Sequence, residues 1–306
     1  MENIQSIINR LENEIKETQK GLIQTQSLIR LKEVAKIYSG TDKVISFSEI
    51  EEIMKNRPPE EQINTGWSEL DKILKGFRLK QLITISAPMK HGKTSFCVDL
   101  TMRLKDQNPL WFPFEEGAEE LIQKFIDRNE HAPLSYTPQH IKGNTTTWIE
   151  ERIIESIAKY GTRVVFIDQL DFIVPFSADR HDLRVGQVMR ELKSIAKKWN
   201  IIIFIICHLV KTKMDMQPTL EDLRGSASIG QESDTVILLW RETKRENGQI
   251  VITNNINVSI QANRRTGKTG NIKMIYTDNG RFLEEDWKIE DQERSSQKEI
   301  EDTIEF

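Results

Sequence analysis

The chain is poor in cysteine and has neither a long apolar run nor an apolar leader. Its 306 residues include two cysteines, Cys97 and Cys207, both within apolar stretches. This argues against a disulfide framework or a cysteine metal site, and we interpret both as reduced core residues. The first ten residues, MENIQSIINR, carry acidic and polar side chains where a signal peptide would be apolar. We therefore expect a soluble protein that is not exported and has no membrane partner.

Acidic residues slightly outnumber basic ones, with 47 aspartates and glutamates and 43 lysines and arginines. The acidic excess is concentrated from Glu284 to the end of the sequence, where ten acids face three bases. The rest of the chain is therefore mildly basic, which leaves nucleic acid open as a partner. The acidic segment has few apolar residues, so we expect it to be disordered.

The first sixty residues predict helices and a linker. Apolar residues at steps of three and four predict a helix over residues 1–38, which could lie on its own domain or pack on another subunit. These apolar residues are Ile4, Ile8, Leu11, Ile15, Leu22 and Ile29. A second, short helix is predicted from Ser48 as N-cap to Asn56, with Phe47, Ile50 and Met54 apolar. Pro58 and Pro59 then mark a linker.

Strands and helices alternate through the middle of the chain. Continuous apolar runs predict strands buried on both faces at 82–86, 110–114, 163–167, 201–206 and 235–239. Helices are predicted between them at 93–105, 118–129, 147–160 and 184–199. This order predicts an α/β fold, with a mostly parallel sheet between helices and ligands at the carboxyl ends of the strands. Later segments at 257–261 and 272–276, joined by residues 264–267, predict a hairpin.

The first of these strands leads into a phosphate-binding loop. The spacing Ala87-x4-Gly92-Lys93-Thr94 is that of a P-loop whose first glycine is replaced. Gly92 lets the backbone approach the phosphates, Lys93 reaches the β and γ oxygens, and Thr94 offers its hydroxyl to Mg²⁺. The helix that starts here, with Ser95 in its first turn, adds its positive N-terminal end. These residues predict a site for ATP and Mg²⁺.

A P-loop needs carboxylates, and strand ends provide them. Asp168 ends an apolar strand and is the candidate Mg²⁺ ligand. Glu115 follows another strand and is the candidate base for the attacking water, with its neighbour Glu116 as the rival. His208 closes the strand at 201–206, where it is either a sensor of the γ-phosphate or a histidine with a structural role.

Five blocks of sequence resemble, in order, those of the ATPase domain of the DnaB-type replicative helicases. They are TGWSELD at 65–71, FPFEE at 112–116, FIDQLDFI at 166–173, CHL at 207–209 with PTLEDLRGSASIGQESD at 218–234, and NRRTGKTG at 263–270. The resemblance implies a RecA-like P-loop ATPase. We therefore divide the chain into a helical N-terminal region and linker at 1–61, an ATPase domain at 62–283 and an acidic tail at 284–306.

The resemblance also assigns roles to residues. It selects Glu115 as catalytic base, puts His208 in the place of the phosphate sensor and makes Ala87 a usual first residue of the P-loop. Arg265 takes the place of an arginine finger, and Arg264 could share its charge. Asn263 stands where the family usually has a lysine.

An arginine finger is supplied by a neighbouring subunit, so the resemblance implies a homo-oligomer, a ring of six. Loops lining its hole would bind single-stranded DNA through positive groups and backbone amides. The candidate DNA-binding residues are Arg180, Arg184, Lys211, Lys213, Arg224, Gly225 and Ser226. The implied activity is an ATP-dependent helicase that moves five-prime to three-prime at a replication fork. The alternative is a RecA- or KaiC-like ATPase that binds DNA or partners without unwinding.

The acidic tail resembles tails of some phage helicases that dock on other replication proteins. It ends in Phe306, so we expect it to contact a DNA polymerase, a primase or another replication protein; the alternative is a solubilising tail. His208 and the lack of the family's globular N-terminal domain favour a phage or mobile-element source. The expected location is the cytoplasm of a bacterial or phage-infected cell.

Overall fold

The computed structural model describes residues 4–17, 21–38, 45–128, 134–175, 181–209, 216–223, 226–246 and 249–284. Five predicted DNA-binding residues, Arg180, Lys211, Lys213, Arg224 and Gly225, lie outside these ranges, as does the acidic tail after Glu284. Within the described part of the chain, no helix is long and apolar enough to cross a membrane.

Helices and strands alternate as the apolar runs predict. The helices are α1 (Ile4–Glu17), α2 (Gly21–Tyr38), α3 (Phe47–Lys55), α4 (Ser68–Leu74), α5 (Lys93–Arg103), α6 (Ala118–Ile126), α7 (Thr146–Tyr160), α8 (Leu170–Ile173), α9 (His181–Trp199) and α10 (Ser226–Glu232). The strands are β1 (Leu82–Ala87), β2 (Leu110–Pro113), β3 (Val164–Asp168), β4 (Ile202–His208), β5 (Thr235–Glu246), β6 (Gln249–Asn263), β7 (Gly270–Tyr276) and β8 (Phe282–Glu284). Short 3₁₀ turns lie at Lys105–Gln107 and Leu220–Asp222.

The strands form one sheet in the order β2-β3-β4-β1-β5-β6-β7-β8. The first five strands in this order are parallel, and β6, β7 and β8 add antiparallel. The mostly parallel sheet and the hairpin between β6 and β7 are therefore confirmed. Two features were not predicted: β5 and β6 extend well beyond their apolar segments, and β8 adds an edge strand.

Apolar side chains pack on both faces of the sheet, because successive strand residues point to opposite sides. On one face, Ile83 and Ile85 of β1 pack with residues of α4, α5 and α6. On the other face, Leu82 packs with residues of α7 and α9, and α1 and α2 cover this second layer. In such a sheet, ligands bind at the carboxyl ends of the strands.

The N-terminal region is two helices, where the sequence predicted one. Ile8 and Leu11 of α1 and Leu31 and Val34 of α2 are buried in the same core cluster as α7, whereas Ile29, predicted as part of the apolar seam, is 53% exposed. An ion pair of 2.7 Å joins Lys159 on α7 to Glu14 on α1, and the Arg30 side chain donates to the Lys159 carbonyl oxygen at 3.1 Å. These helices therefore lie on their own domain, which was one of the two alternatives.

Helix α3 is capped by Ser46, so the predicted N-cap at Ser48 is wrong by two residues. Ser46 and Glu49 form a reciprocal capping box, each side chain accepting from the other residue's backbone N–H. None of the residues of α3 is buried. Phe47 is 90% exposed and Met54 67% exposed, so the apolar stripe of α3 has no partner within the described chain.

Candidate nucleotide-binding site

The P-loop leaves the carboxyl end of β1, at the centre of the sheet. All six residues of β1 are buried, which fixes the start of the loop at Ala87. Gly92 has a φ of +89° and caps the N-terminus of α5. A side chain there would be strained in this left-handed conformation. The backbone geometry of this loop therefore requires glycine at position 92.

Lys93 turns back over the loop. Its Nζ lies 3.4 Å from the carbonyl oxygen of Ala87, and the side chain is buried. Burial lowers the pKa of Lys93, and the carboxylates of Glu115 and Asp168 oppose that shift. The lysine therefore places its positive charge in the concave side of the loop, where a phosphate would bind.

The two predicted metal ligands meet across the sheet. The Thr94 hydroxyl donates a 2.8 Å hydrogen bond to Oδ2 of Asp168. Asp168 ends β3, and Thr94 follows the loop after β1, although β4 lies between these two strands in the sheet. The other oxygen, Oδ1, is buried and has no hydrogen-bond partner among the described residues. Burial raises the pKa of Asp168 to about 6, and the nearby charge of Glu115 adds to the shift. A hydroxyl and an orphaned carboxylate oxygen form a donor set that suits Mg²⁺, which takes few protein ligands together with phosphates and water.

No larger metal cage competes with this interpretation. Among the described residues, no group of three or more histidine, cysteine, aspartate or glutamate side chains could hold a metal ion by itself. A metal at Thr94 and Asp168 would therefore complete its coordination from a bound nucleotide and water.

Glu115 lies beside this pair. Its backbone N–H donates to the Asp168 carbonyl oxygen at 3.1 Å, which ties the loop after β2 to the end of β3. The rival, Glu116, forms an ion pair with Lys124 on α6. The charge of Glu116 also acts on Asp168, but Glu115 is the carboxylate whose charge acts on both Lys93 and Asp168.

His208 and Ser95 also lie near the carboxyl ends of the parallel strands. His208 ends β4 and is the direct register partner of Ala87 on β1. The Ser95 hydroxyl accepts a 3.2 Å hydrogen bond from the Tyr276 hydroxyl. The structure thus brings together all of the residues predicted to surround the phosphates and the metal.

Arg265 lies at the opposite end of the parallel strands, near their amino ends. Asn263, the last residue of β6, pairs with Thr235, and Thr235 pairs with Ile83 near the start of β1. Arg265 follows β6 and so lies beyond the amino ends of the parallel strands, whereas the P-loop leaves their carboxyl ends. Six residues of β1 separate these edges by roughly 17 Å. Arg265 therefore does not belong to the phosphate site of its own chain.

Three residues beside the P-loop were missed by the sequence analysis. Tyr276 packs against Phe282 near Gly92, and the Arg241 guanidinium lies 4.6 Å over the Tyr276 ring. His91, within the loop, is buried and accepts a 2.9 Å hydrogen bond at Nδ1 from the Arg241 backbone N–H. A flat ring with a cation above it could stack on a nucleotide base. No motif indicates Arg241 and Tyr276, because they lie on strands far from the loop in sequence, and no pattern marks His91 within the loop.

Two of the predicted DNA-binding residues, Arg184 and Ser226, lie in the described part of the chain. Arg184 is on the first turns of α9, where it donates to the Pro175 carbonyl oxygen at 3.4 Å. Ser226 begins α10, which packs on α9 through a contact between Ser228 and the Asp182 carbonyl oxygen. The helices that follow the two loops in the chain are therefore neighbours.

The sequence matches the family model described as DnaB-like helicase C terminal domain, over residues 62–139 and 137–284. Two curated relatives are named as replicative helicases: DnaC of Bacillus subtilis (strain 168), 26% identical over 267 residues, and DnaB of Rickettsia conorii, 25% identical over 289 residues. Each match covers 76% of this chain, and the chain spans 58% of the length of either relative.

Two solved structures have the same fold. The ATPase domain of G40P matches with a TM-score of 0.65 and 21% identity, covering 79% of this chain and 99% of that one. A DnaB-like replicative helicase, described together with its interactions with primase, matches with a TM-score of 0.64 and 21% identity, covering 91% of this chain and 75% of that one. The RecA-like architecture predicted from the sequence is confirmed by these likenesses.

Proposed function

This chain belongs to the DnaB-like helicase C terminal domain family, and we propose that it is an ATP-dependent DNA helicase that moves along single-stranded DNA as a hexameric ring. The observation that carries the proposal is the meeting of Lys93, Thr94 and Asp168 at the carboxyl edge of the sheet, with Glu115 beside them. This arrangement has the parts that phosphoryl transfer to water requires.

The residues divide the work of hydrolysis. Lys93 binds the β- and γ-phosphates, and Glu115 orients the attacking water and accepts its proton. Thr94 and Asp168 would hold Mg²⁺, which supplies positive charge at the phosphate oxygens when bound. His208, in register with Ala87 at the end of β4, would respond to the γ-phosphate and pass its presence to the second DNA loop, which follows it in the chain.

The position of Arg265 supports the ring. Since it lies at the edge opposite the P-loop of its own chain, an arginine that stabilises the leaving γ-phosphate must come from a neighbouring subunit. The exposed apolar stripe of α3, which includes Phe47 and Met54, supplies a surface that a neighbour could bury. Six such contacts in a closed ring leave no unpaired interface.

The finer assignments follow from the family. The DNA-binding residues would be Arg180, Arg184, Lys211, Lys213, Arg224, Gly225 and Ser226, on the two loops that face the hole. Translocation would run five-prime to three-prime. The acidic tail at 284–306 would bind a replication protein. A primase is one candidate, because one of the two structural neighbours is a DnaB-like helicase described together with its interactions with primase.

A forked-duplex unwinding assay tests the proposal. We expect the wild-type chain to release the labelled strand in the presence of ATP and Mg²⁺, and Lys93→Ala to release none while still folding. Images of the particles in negative stain should show closed rings. The helicase would be rejected if the particles were filaments and single-stranded DNA stimulated ATP hydrolysis without any strand release. That result would favour a RecA-like ATPase.

A further inference from the structure

Helix α4 is held at its two ends by two residues from the C-terminal part of the domain. Glu284, the last residue of β8, meets the first turn of α4. Arg265, from the turn between β6 and β7, meets its last turn. The helix therefore bridges the end of the antiparallel strands and the arginine that we propose as the finger.

The contact at the start of α4 is dense. One Glu284 oxygen accepts from the Ser68 backbone N–H at 2.9 Å and from the Ser68 hydroxyl at 2.8 Å. The other accepts from the backbone N–H groups of Glu69 at 2.7 Å and Leu70 at 3.3 Å. Glu284 is only 8% exposed. A buried carboxylate that accepts four hydrogen bonds is a strong, directional anchor, because charge-assisted bonds are stronger than neutral ones.

The contact at the end of α4 orients the guanidinium of Arg265. Its Nη2 donates to the carbonyl oxygens of residues 74, 75 and 76, at 2.6 Å for Lys75 and 2.9 Å for Gly76. All of these bonds use the same nitrogen. Nε and Nη1 of Arg265 make no hydrogen bond with the described residues, so three of the five N–H donors remain for a ligand. One nitrogen of the guanidinium is thus fixed by the end of α4.

We propose that Glu284 is a positioning residue for the Arg265 finger and acts through α4. The inference rests on the proposed function, since it assumes that Arg265 serves the phosphate site of a neighbouring subunit. The carbonyl oxygens of residues 74–76 set the plane of the guanidinium, and Glu284 fixes the opposite end of the same short helix. A small misplacement of a group that acts on the transition state lowers turnover steeply.

The helix has other anchors, which keep it folded when Glu284 is changed. Leu70 and Leu74 are buried, and Asp71 accepts from the Thr65 and Gly66 backbone N–H groups at 2.8 and 3.2 Å. We therefore expect loss of Glu284 to shift or loosen α4 without melting it. This separates positioning from stability.

Glu284→Gln is the test variant, because the amide keeps the size of the side chain but turns an NH₂ group towards backbone N–H donors. The matched control is Glu69→Gln, which removes a carboxylate from the same helix; that carboxylate pairs with Lys72 near the surface. We expect Glu284→Gln to lower kcat for ATP about tenfold with KM unchanged, and the control to retain wild-type kcat. Hydrogen exchange of the amides at 68–76 should be faster in Glu284→Gln and unchanged in the control.

Mixed rings locate the defect. Lys93→Ala subunits keep an intact finger, so mixing them with Glu284→Gln subunits should raise the activity per Glu284→Gln subunit. Mixing with Arg265→Ala should not, because both subunits then lack a working finger. If Arg265→Ala raised the activity and Lys93→Ala did not, the defect would lie at the phosphate site of the same chain and the inference would be overturned. A wild-type kcat in Glu284→Gln would also overturn it.

The outcome also separates this inference from the proposed function. If Arg265→Ala retains turnover, the finger itself is rejected. If Arg265→Ala is inactive but Glu284→Gln is normal, only the positioning role is rejected. Should Glu284→Gln fail to fold, Ser68→Ala removes a single hydroxyl contact and should lower kcat a few-fold with the same mixing pattern; an unchanged kcat there would overturn the inference.

Discussion

The Thr94 hydroxyl donates a hydrogen bond of 2.8 Å to one oxygen of Asp168, while the other oxygen of that carboxylate is buried and has no partner in the described part of the chain. Such an orphaned acceptor is costly in a folded protein, and a bound cation would satisfy it. Glu115 adds a second carboxylate at the same place, and the charge of Lys93 opposes this negative charge. We therefore propose that the site takes a nucleotide together with its metal.

Glu115→Gln should bind nucleotide and fail to turn it over. The amide can still hold a water molecule by a hydrogen bond, but it cannot accept the proton. We expect a loss of at least about 100-fold in kcat with little change in nucleotide affinity. Glu116→Gln is the matched control, since its carboxylate pairs with Lys124 and should be dispensable for turnover. Hydrolysis by Glu115→Gln within about tenfold of wild type would remove this residue from the role of base.

Arg265→Ala should abolish hydrolysis, and mixing it with Lys93→Ala should restore part of it, because each subunit supplies the half that the other lacks. The neighbouring Arg264→Ala is the control. The Arg264 side chain is exposed and makes no hydrogen bond or ion pair with the described residues, so its loss should leave most of the activity. Mixtures that co-assemble but stay inactive at every ratio would argue against a finger supplied in trans.

The central site could be predicted because its signals are local. Buried parallel strands are continuous apolar runs, and the residues that follow them are brought to one edge by the topology. Glu115, Asp168 and His208 each follow such a strand, and the fold places all three near the P-loop.

Other features depend on contacts that the sequence does not announce. Both Ser46 and Ser48 are followed three residues later by a glutamate, so either one satisfies a capping box and the pattern alone cannot choose between them. The outer part of β5 is charged and partly exposed, and the outer part of β6 is uncharged but also partly exposed, with a run of only three apolar residues at 250–252, so neither has the buried apolar run that marks the inner parts. The contact of Arg265 with α4 joins residues about 190 positions apart.

Changing Phe47 and Ile50 of α3 to serine should weaken ring assembly without unfolding the subunit, since both side chains are exposed in the single chain. We expect light scattering to show smaller species at concentrations where the wild type is hexameric, with an unchanged thermal midpoint for the subunit. Ile29→Ser on α2 is the control, because it removes a comparably exposed apolar side chain from a helix packed on its own domain. Intact hexamers in the double variant would show that α3 does not hold the ring together.

His91 should make stability depend on pH. Burial, followed by the charges of Arg241 and Lys93, lowers the pKa of His91 from 6.5 to about 4. The unfolded chain therefore takes up a proton between these values while the folded chain stays neutral, and its Nδ1 continues to accept the hydrogen bond from Arg241. The stabilisation is fully present above pH 6.5 and is lost as the pH falls towards 4.

The size of this effect can be isolated by difference. The shift in the pKa of His91 corresponds to a loss of about 2 kcal/mol in the free energy of unfolding between pH 7.5 and pH 5. Asp168 acts in the opposite direction, because burial raises its pKa to about 6 and protonation relieves the cost of a buried charge. The wild-type curve alone therefore mixes the two groups.

His91→Asn separates them, since its side-chain oxygen can replace Nδ1 as acceptor and does not titrate. Urea unfolding of wild type and variant at pH 7.5 and pH 5, without nucleotide, gives the comparison. The stability of the wild type should fall relative to the variant by about 2 kcal/mol at the lower pH. If the free energies of unfolding of wild type and variant differed by the same amount at pH 7.5 and pH 5, His91 would titrate normally. The P-loop would then not be held to β5 by a neutral histidine.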